Sequence, residues 1–140
     1  MDNRGVAVLV AVAVAGAAAC SSQQQTGGQV AARITMNGVT QTAYDVRCSE
    51  DQGFWTVDVG GLDADTGVEA VVALSADKAT PKWVKIHNYG GFTGSFWEGG
   101  VGSASASATP AELTVTGTAY GADLNRNKPT TTNFKIVANC

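Results

Sequence analysis

Phe54-Trp55-Thr56-Val57-Asp58-Val59 alternates residue by residue, with Trp55, Val57 and Val59 on one side and Thr56 and Asp58 on the other. Successive side chains of a strand point to opposite faces, so a period of two predicts a half-buried β-strand. Gly60-Gly61 stops it. Upstream, Val30–Met36 runs into Asn37-Gly38, a pair that tolerates the positive φ angles of a tight hairpin turn. Val39–Cys48 reads as the returning strand, with Tyr44, Val46 and Cys48 sharing one face. Downstream, Val68–Leu74 fits helix or strand by periodicity, and its adjacent β-branched residues and flanking turn signals favour strand. Trp83–His87, Phe92–Trp97, Ser103–Ala108, Leu113–Ala119 and Thr132–Ala138 complete the set. Strands recurring every ~8–12 residues predict an all-β fold with little helix, an antiparallel β-sandwich or half-barrel.

The chain before these strands has a different character. Gly5–Ala19 is an unbroken run of Gly, Ala, Val and Leu behind Arg4 and the free amino terminus. A membrane-spanning helix needs about 20 apolar residues, so the run is short for a permanent span and suits the apolar core of a signal peptide. Ala17-Ala18-Ala19 then precede Cys20, and a signal peptidase requires such small residues before its cut. Residues 1–19 are thus expected to be a lipoprotein signal peptide, and Cys20 the site of lipidation. Residues 21–29 contain no apolar side chain, so residues 20–29 read as a lipidated cysteine and flexible tether. Residues 30–140 form the β domain.

Cys20, Cys48 and Cys140 are the three cysteines. An exported protein meets an oxidising compartment, where an odd cysteine needs an explanation. A diacylglyceryl group on the Cys20 sulfur supplies one and leaves Cys48 and Cys140 to pair as a disulfide. That bond closes a loop of about 90 residues, which in the chain-entropy picture stabilises the fold by roughly 4–5 kcal/mol. One acyl chain holds a protein to a membrane only marginally, whereas two or three, palmitate among them, hold it firmly.

The chain carries 9 Lys+Arg against 12 Asp+Glu, a net charge of −3 with no basic stripe, which argues against a nucleic-acid partner. His87 is the single histidine, and no Gly-x-Ser-x-Gly elbow is present, so no catalytic residues are assigned. One histidine and two paired cysteines do not make a zinc site of the usual N/S type, and no metal or cofactor is expected. Asp63-Ala-Asp65-Thr-Gly67 has the alternate acids of a calcium loop but lacks its later glutamate, and a plain turn is the better reading. Ser103-Ala-Ser-Ala-Ser-Ala108 gives a strand with one small apolar face and one hydroxyl face, suited to a ligand or to a close neighbour. The densest aromatic stretch holds Trp83, Tyr89, Phe92, Phe96 and Trp97, broken by Gly90, Gly91 and Gly94. Glycines beside aromatics leave room for an apolar ligand or form turns around core rings; these five are the candidate ligand-contacting residues.

Leu113-Thr-Val-Thr-Gly-Thr-Ala-Tyr-Gly-Ala-Asp123, then Pro129 and Asn133-Phe-Lys-Ile-Val-Ala-Asn-Cys140, resemble the mycobacterial nineteen-kilodalton lipoprotein antigen family, and the likeness covers nearly the whole chain. Cys48 matches that family's early cysteine. Two positions depart from the pattern. Ala17 replaces the usual Leu three residues before the lipidated cysteine, and the Thr/Ser-rich tether is shortened to Ser21, Ser22 and Thr26. The resemblance implies a non-enzymatic protein, lipid-anchored on the extracytoplasmic face of the cell membrane and exposed at the surface. It also implies an antigen sensed by host Toll-like receptor 2 through its acylated N terminus. Two roles are expected from the residues and the resemblance together. One is binding or transport of a hydrophobic ligand such as a lipid or glycolipid. The alternative is a surface antigen or structural envelope protein with no small-molecule ligand.

Overall fold

A computed structural model describes residues 30–60 and 65–140. Ten strands occupy them: β1 (Ala31–Met36), β2 (Val39–Ala43), β3 (Val46–Asp51), β4 (Phe54–Val59), β5 (Gly67–Ser75), β6 (Lys78–Tyr89), β7 (Phe92–Trp97), β8 (Ser103–Thr109), β9 (Glu112–Asp123) and β10 (Lys128–Asn139). No helix occurs among the described residues. All ten strands pair antiparallel in one sheet, in the order β2-β1-β10-β9-β7-β6-β5-β4-β3, with β8 also on β9. The expected all-β, antiparallel fold is therefore found, as a nearly closed, barrel-like sheet. The signal peptide, Cys20, the tether and Asp63 lie outside the described residues.

The opening alternation reads correctly. Val57 and Val59 are buried, Trp55 packs on the core, and Thr56 and Asp58 face outward. Asn37 and Gly38 form the β1–β2 turn with φ of 48° and 83°. Val68–Leu74, ambiguous in sequence, lies within β5, with Val68, Ala70 and Val72 facing in. β6, β9 and β10 extend beyond the expected Trp83–His87, Leu113–Ala119 and Thr132–Ala138 because their partners carry the pairing on, and one expected strand is divided. Val39–Cys48 is not one strand but two, β2 and β3, broken at Tyr44-Asp45, and Tyr44 is exposed. The break lets the chain leave one edge of the sheet and start the other, because β2 and β3 are its two ends.

How the ends meet follows from the register. Arg47 on β3 lies level with Asp58, Glu69, Lys85, Ser95, Tyr120 and Thr131 across six successive pairings. Cys48 is thus level with Thr132 of β10. Yet its sulfur is bonded to Cys140, eight residues farther along the same strand. A sheet that closes on itself must stagger its strands in this way, and the Cys48–Cys140 disulfide joins the two ends. The pairing expected from cysteine arithmetic is the one present, with a Cα–Cα distance of 5.8 Å and a sequence separation of 92.

The interior is filled by alternate residues of the long strands. Ile34, Val72, Val84, Leu113, Val115 and Ile136 are fully buried, and Phe92, Phe96 and Phe134 supply the large rings. β9 pairs with β10 along one edge. Its other edge is shared, with β8 along Glu112–Thr118 and β7 along Tyr120–Asp123. The sheet therefore forks at β9. The alternation expected for Ser103–Ala108 holds: Ala104 and Ala106 turn to the core and the serines outward. At Gly117 the two strands leave no room for a side chain, since a β-carbon there would lie 2.8 Å from Ala104.

Candidate functional site: an apolar recess beneath the first hairpin

The five candidate ligand-contacting residues do not form one site. Strand alternation, interrupted by a register shift between Ile86 and Tyr89, sends them to opposite faces. Phe92 and Phe96 point inward on β7 and are 3% and 5% exposed. Trp83 and Trp97 are register partners on the outer face, with ring centroids 6.4 Å apart and planes inclined by 24°. The Lys85 ammonium sits over them, 4.6 Å from the Trp83 ring centre and 6.0 Å from that of Trp97. Tyr89, at the end of β6, is half-buried, and burial pushes its phenol above the usual tyrosine range.

Tyr89 and Phe92 do meet, across the Gly90-Gly91 turn that joins β6 to β7. Together with Ile34 and Met36 of β1 and Val39 of β2 they line a recess of about 300 Å³. The recess exists because, among the described residues, β2 has no neighbour beyond β1. Val39 and Gln41 pair with Met36 and Ile34, so they share the inward-facing side, yet both are exposed. The hairpin thus projects as a lip whose inner surface is left uncovered by the described residues. Asn37 and Gln41 give a polar rim, and the buried hydroxyl-bearing Thr132 of β10 also contributes to the wall. Gly90 takes φ of 59°, and a β-carbon there would lie 3.5 Å from Met36, so the turn is held close against the recess wall.

Gly94 shows the other use of a glycine beside aromatics. A β-carbon at Gly94 would lie 2.5 Å from the Phe92 ring, so this space is filled by the chain's own phenylalanine. A wider, open cleft of about 700 Å³ lies between the β5–β6 turn and the end of β8. Its wall mixes Trp55, Leu74 and Ala106 with Glu50, Asp77 and Lys78, and it has less apolar character than the recess.

On the outer face, Glu69 stands between Asp58 and Lys85. Burial and then the Asp58 carboxylate push the Glu69 carboxyl above its ordinary range, with Lys85 acting the other way. His87 is exposed on β6, and Asp65 is exposed before β5. Among the described residues, no group of three or more His, Cys, Asp or Glu side chains is placed to hold a metal ion. No helix among them is long and apolar enough to cross a membrane.

A disulfide-closed β domain that follows an apolar stretch and a cysteine in sequence fits a lipoprotein, and comparison with known proteins gives the same class. Residues 14–140 match the family described as Mycobacterium 19 kDa lipoprotein antigen, and the chain belongs to that family. A probable lipoprotein LppE of Mycobacterium tuberculosis is 46% identical over 139 residues, covering 97% of this chain and 94% of that one. A putative lipoprotein of Mycobacterium indicus pranii is 36% identical over the full length of both chains. Another, from Mycobacterium avium subsp. hominissuis, is 34% identical over 100% of this chain and 97% of its own. The family match begins inside the apolar leader and includes Cys20.

Proposed function

We propose that the protein is a lipid-anchored, extracytoplasmic lipoprotein of the cell envelope that holds a hydrophobic ligand in the recess beneath β2. It acts by binding rather than by catalysis. The observation that carries this reading is the recess itself, walled by Ile34, Met36, Val39, Tyr89 and Phe92 and rimmed by Asn37 and Gln41. An apolar hollow with a few polar groups at its mouth is the usual form of a small-ligand site, and about 300 Å³ is at the small end of such sites. The recess suits part of an acyl chain, with the remainder of a lipid or glycolipid outside. The tether enters at Val30, beside Cys140. Met36 lies six residues along β1, about 20 Å at the rise of a strand, so the recess sits away from the anchored end.

Two measurements test the two halves of the proposal. Cys20→Ala should move the protein from the membrane fraction to the soluble extracytoplasmic fraction; a variant that stays membrane-bound without detergent contradicts the anchor. Organic extraction of the protein purified from a lipid-rich host, followed by mass spectrometry, should yield a ligand near one per chain. The ligand should be lost when Met36→Trp fills the recess. A lipid-free protein that also fails to take up fatty acid or phospholipid contradicts the ligand-holding role and favours display at the surface.

A further inference from the structure

The Trp83–Trp97 pair is unused by the recess and by the core. The two indoles stand on adjacent strands in direct register, on the outer face, and Trp97 is 48% exposed. Immediately along the same strands lies a shallow groove of about 440 Å³ whose wall includes Asp58, Glu69, Lys85, His87, Thr93 and Ser95. Lys85 belongs to both features, since its ammonium lies over the Trp83 ring and its side chain walls the groove. An aromatic surface thus continues directly into a row of carboxylates, hydroxyls, an imidazole and an ammonium.

We propose that this outer face of β4–β7 binds a neutral oligosaccharide, with one pyranose ring packed on the exposed Trp97 indole of the pair and the next hydrogen-bonded in the groove. The chemistry matches in two respects. The C–H face of a pyranose is apolar and flat, and an indole offers it a broad, polarisable surface at little entropic cost. The hydroxyl rim of a sugar needs acceptors and donors side by side, which Asp58 and Glu69 on one hand and Lys85, Ser95 and Thr93 on the other provide. The indoles are stacked on each other beside Lys85, so less side-chain freedom is lost on binding than for isolated rings. Charge separates this occupant from an anionic bilayer. Lys82 is paired with Glu98 at 2.6 Å, and Asp58 and Glu69 stand next to each other as register partners, so the face is not cationic.

The test is fluorescence titration of the full-length protein in a zwitterionic, sugar-free detergent with laminarihexaose, cellohexaose and mannohexaose, up to about 10 mM. At least one should give a saturable change in indole emission. Trp97→Ala should weaken that binding at least tenfold, and Glu69→Ala at least threefold, while Met36→Trp should leave it unchanged. Absence of any response to all three sugars overturns the proposal, as does an undiminished response in the correctly folded Trp97→Ala protein. A bilayer contact is distinguished by reconstitution into phosphatidylcholine vesicles containing brominated acyl chains. Quenching that Trp97→Ala relieves would assign the face to the membrane and overturn the sugar assignment.

Discussion

The middle and the ends of the Trp83–Trp97 stretch have opposite fates. Tyr89 and Phe92 turn toward the interior, where they wall the recess, while Trp83 and Trp97 stand side by side on the outside under Lys85. All lie on two neighbouring strands; parity separates Phe92 and Phe96 from Trp97, and a register shift between Ile86 and Tyr89 turns Tyr89 inward although it has the parity of Trp83. Phe92 and Phe96 share a face, as their spacing of four requires; Trp97, one residue on, takes the other. An aromatic cluster in a β-protein's sequence is therefore not one surface. Alternation and the bulge before Tyr89 together assign its members to different environments, and a turn such as Gly90-Gly91 determines which members meet across it.

The contrast can be broken experimentally, and the largest effect is expected at the join that both faces depend on. Removing the Cys48–Cys140 disulfide, by Cys48→Ser or by reduction, should cost roughly 4–5 kcal/mol in the chain-entropy picture, a large part of a small domain's stability. Thermal unfolding of the variant and of the reduced wild type should show the same large fall in Tm. A small change would mean that the staggered sheet holds without its covalent seam.

The inner and outer aromatics come next. Phe92→Ala empties a position that is 3% exposed and should cost about 3–5 kcal/mol. Trp97→Ala removes a half-exposed ring and one aromatic pair and should cost about 0.5–1.5 kcal/mol. Denaturant unfolding measures both. Equal losses would contradict the assignment of the two rings to different faces.

The smallest effect concerns charge on the outer face. Burial and Asp58 raise the Glu69 pKa in the folded state, so the folded protein binds the proton more tightly than the unfolded chain does. Stability contributed by this group therefore rises as pH falls through the raised folded value toward the ordinary 4.5, and is lowest when both forms are ionised. Glu69→Gln should give a slight rise in Tm at pH 7 that shrinks toward pH 4. A fall in Tm at pH 7 would show that Lys85 outweighs burial and Asp58.

Much of the fold was legible because strand alternation and turn chemistry are local. Phe54–Val59, Asn37-Gly38 and the strand forms of Val68–Leu74 and Ser103–Ala108 read directly from neighbouring residues. Cysteine arithmetic gave one long-range contact, Cys48–Cys140. The length of β10 was underestimated because Lys128–Thr131 has no apolar alternation; these residues are strand because β9 pairs with them. The break at Tyr44-Asp45 was missed because Tyr44, Val46 and Cys48 keep the period of two across it.

The recess was half legible. Tyr89 and Phe92 were among the candidates, whereas Ile34, Met36, Val39 and Thr132 read only as ordinary strand residues. Their meeting depends on β1 pairing with β10 and on β2 lacking an outer neighbour, neither of which is encoded locally. Val39 directly after the Asn37-Gly38 turn was the available signal: an apolar residue on the inner face of a strand otherwise composed of Thr, Gln and Ala.

The central claim is that the inner recess, not the outer indoles, receives the hydrophobic ligand. Binding of a fluorescent fatty acid to the wild type, Met36→Trp and Trp97→Ala proteins tests it most directly. The account predicts saturable binding to the wild type, unchanged affinity in Trp97→Ala and a loss of at least tenfold in Met36→Trp. Binding that survives Met36→Trp but disappears with Trp97→Ala would contradict it.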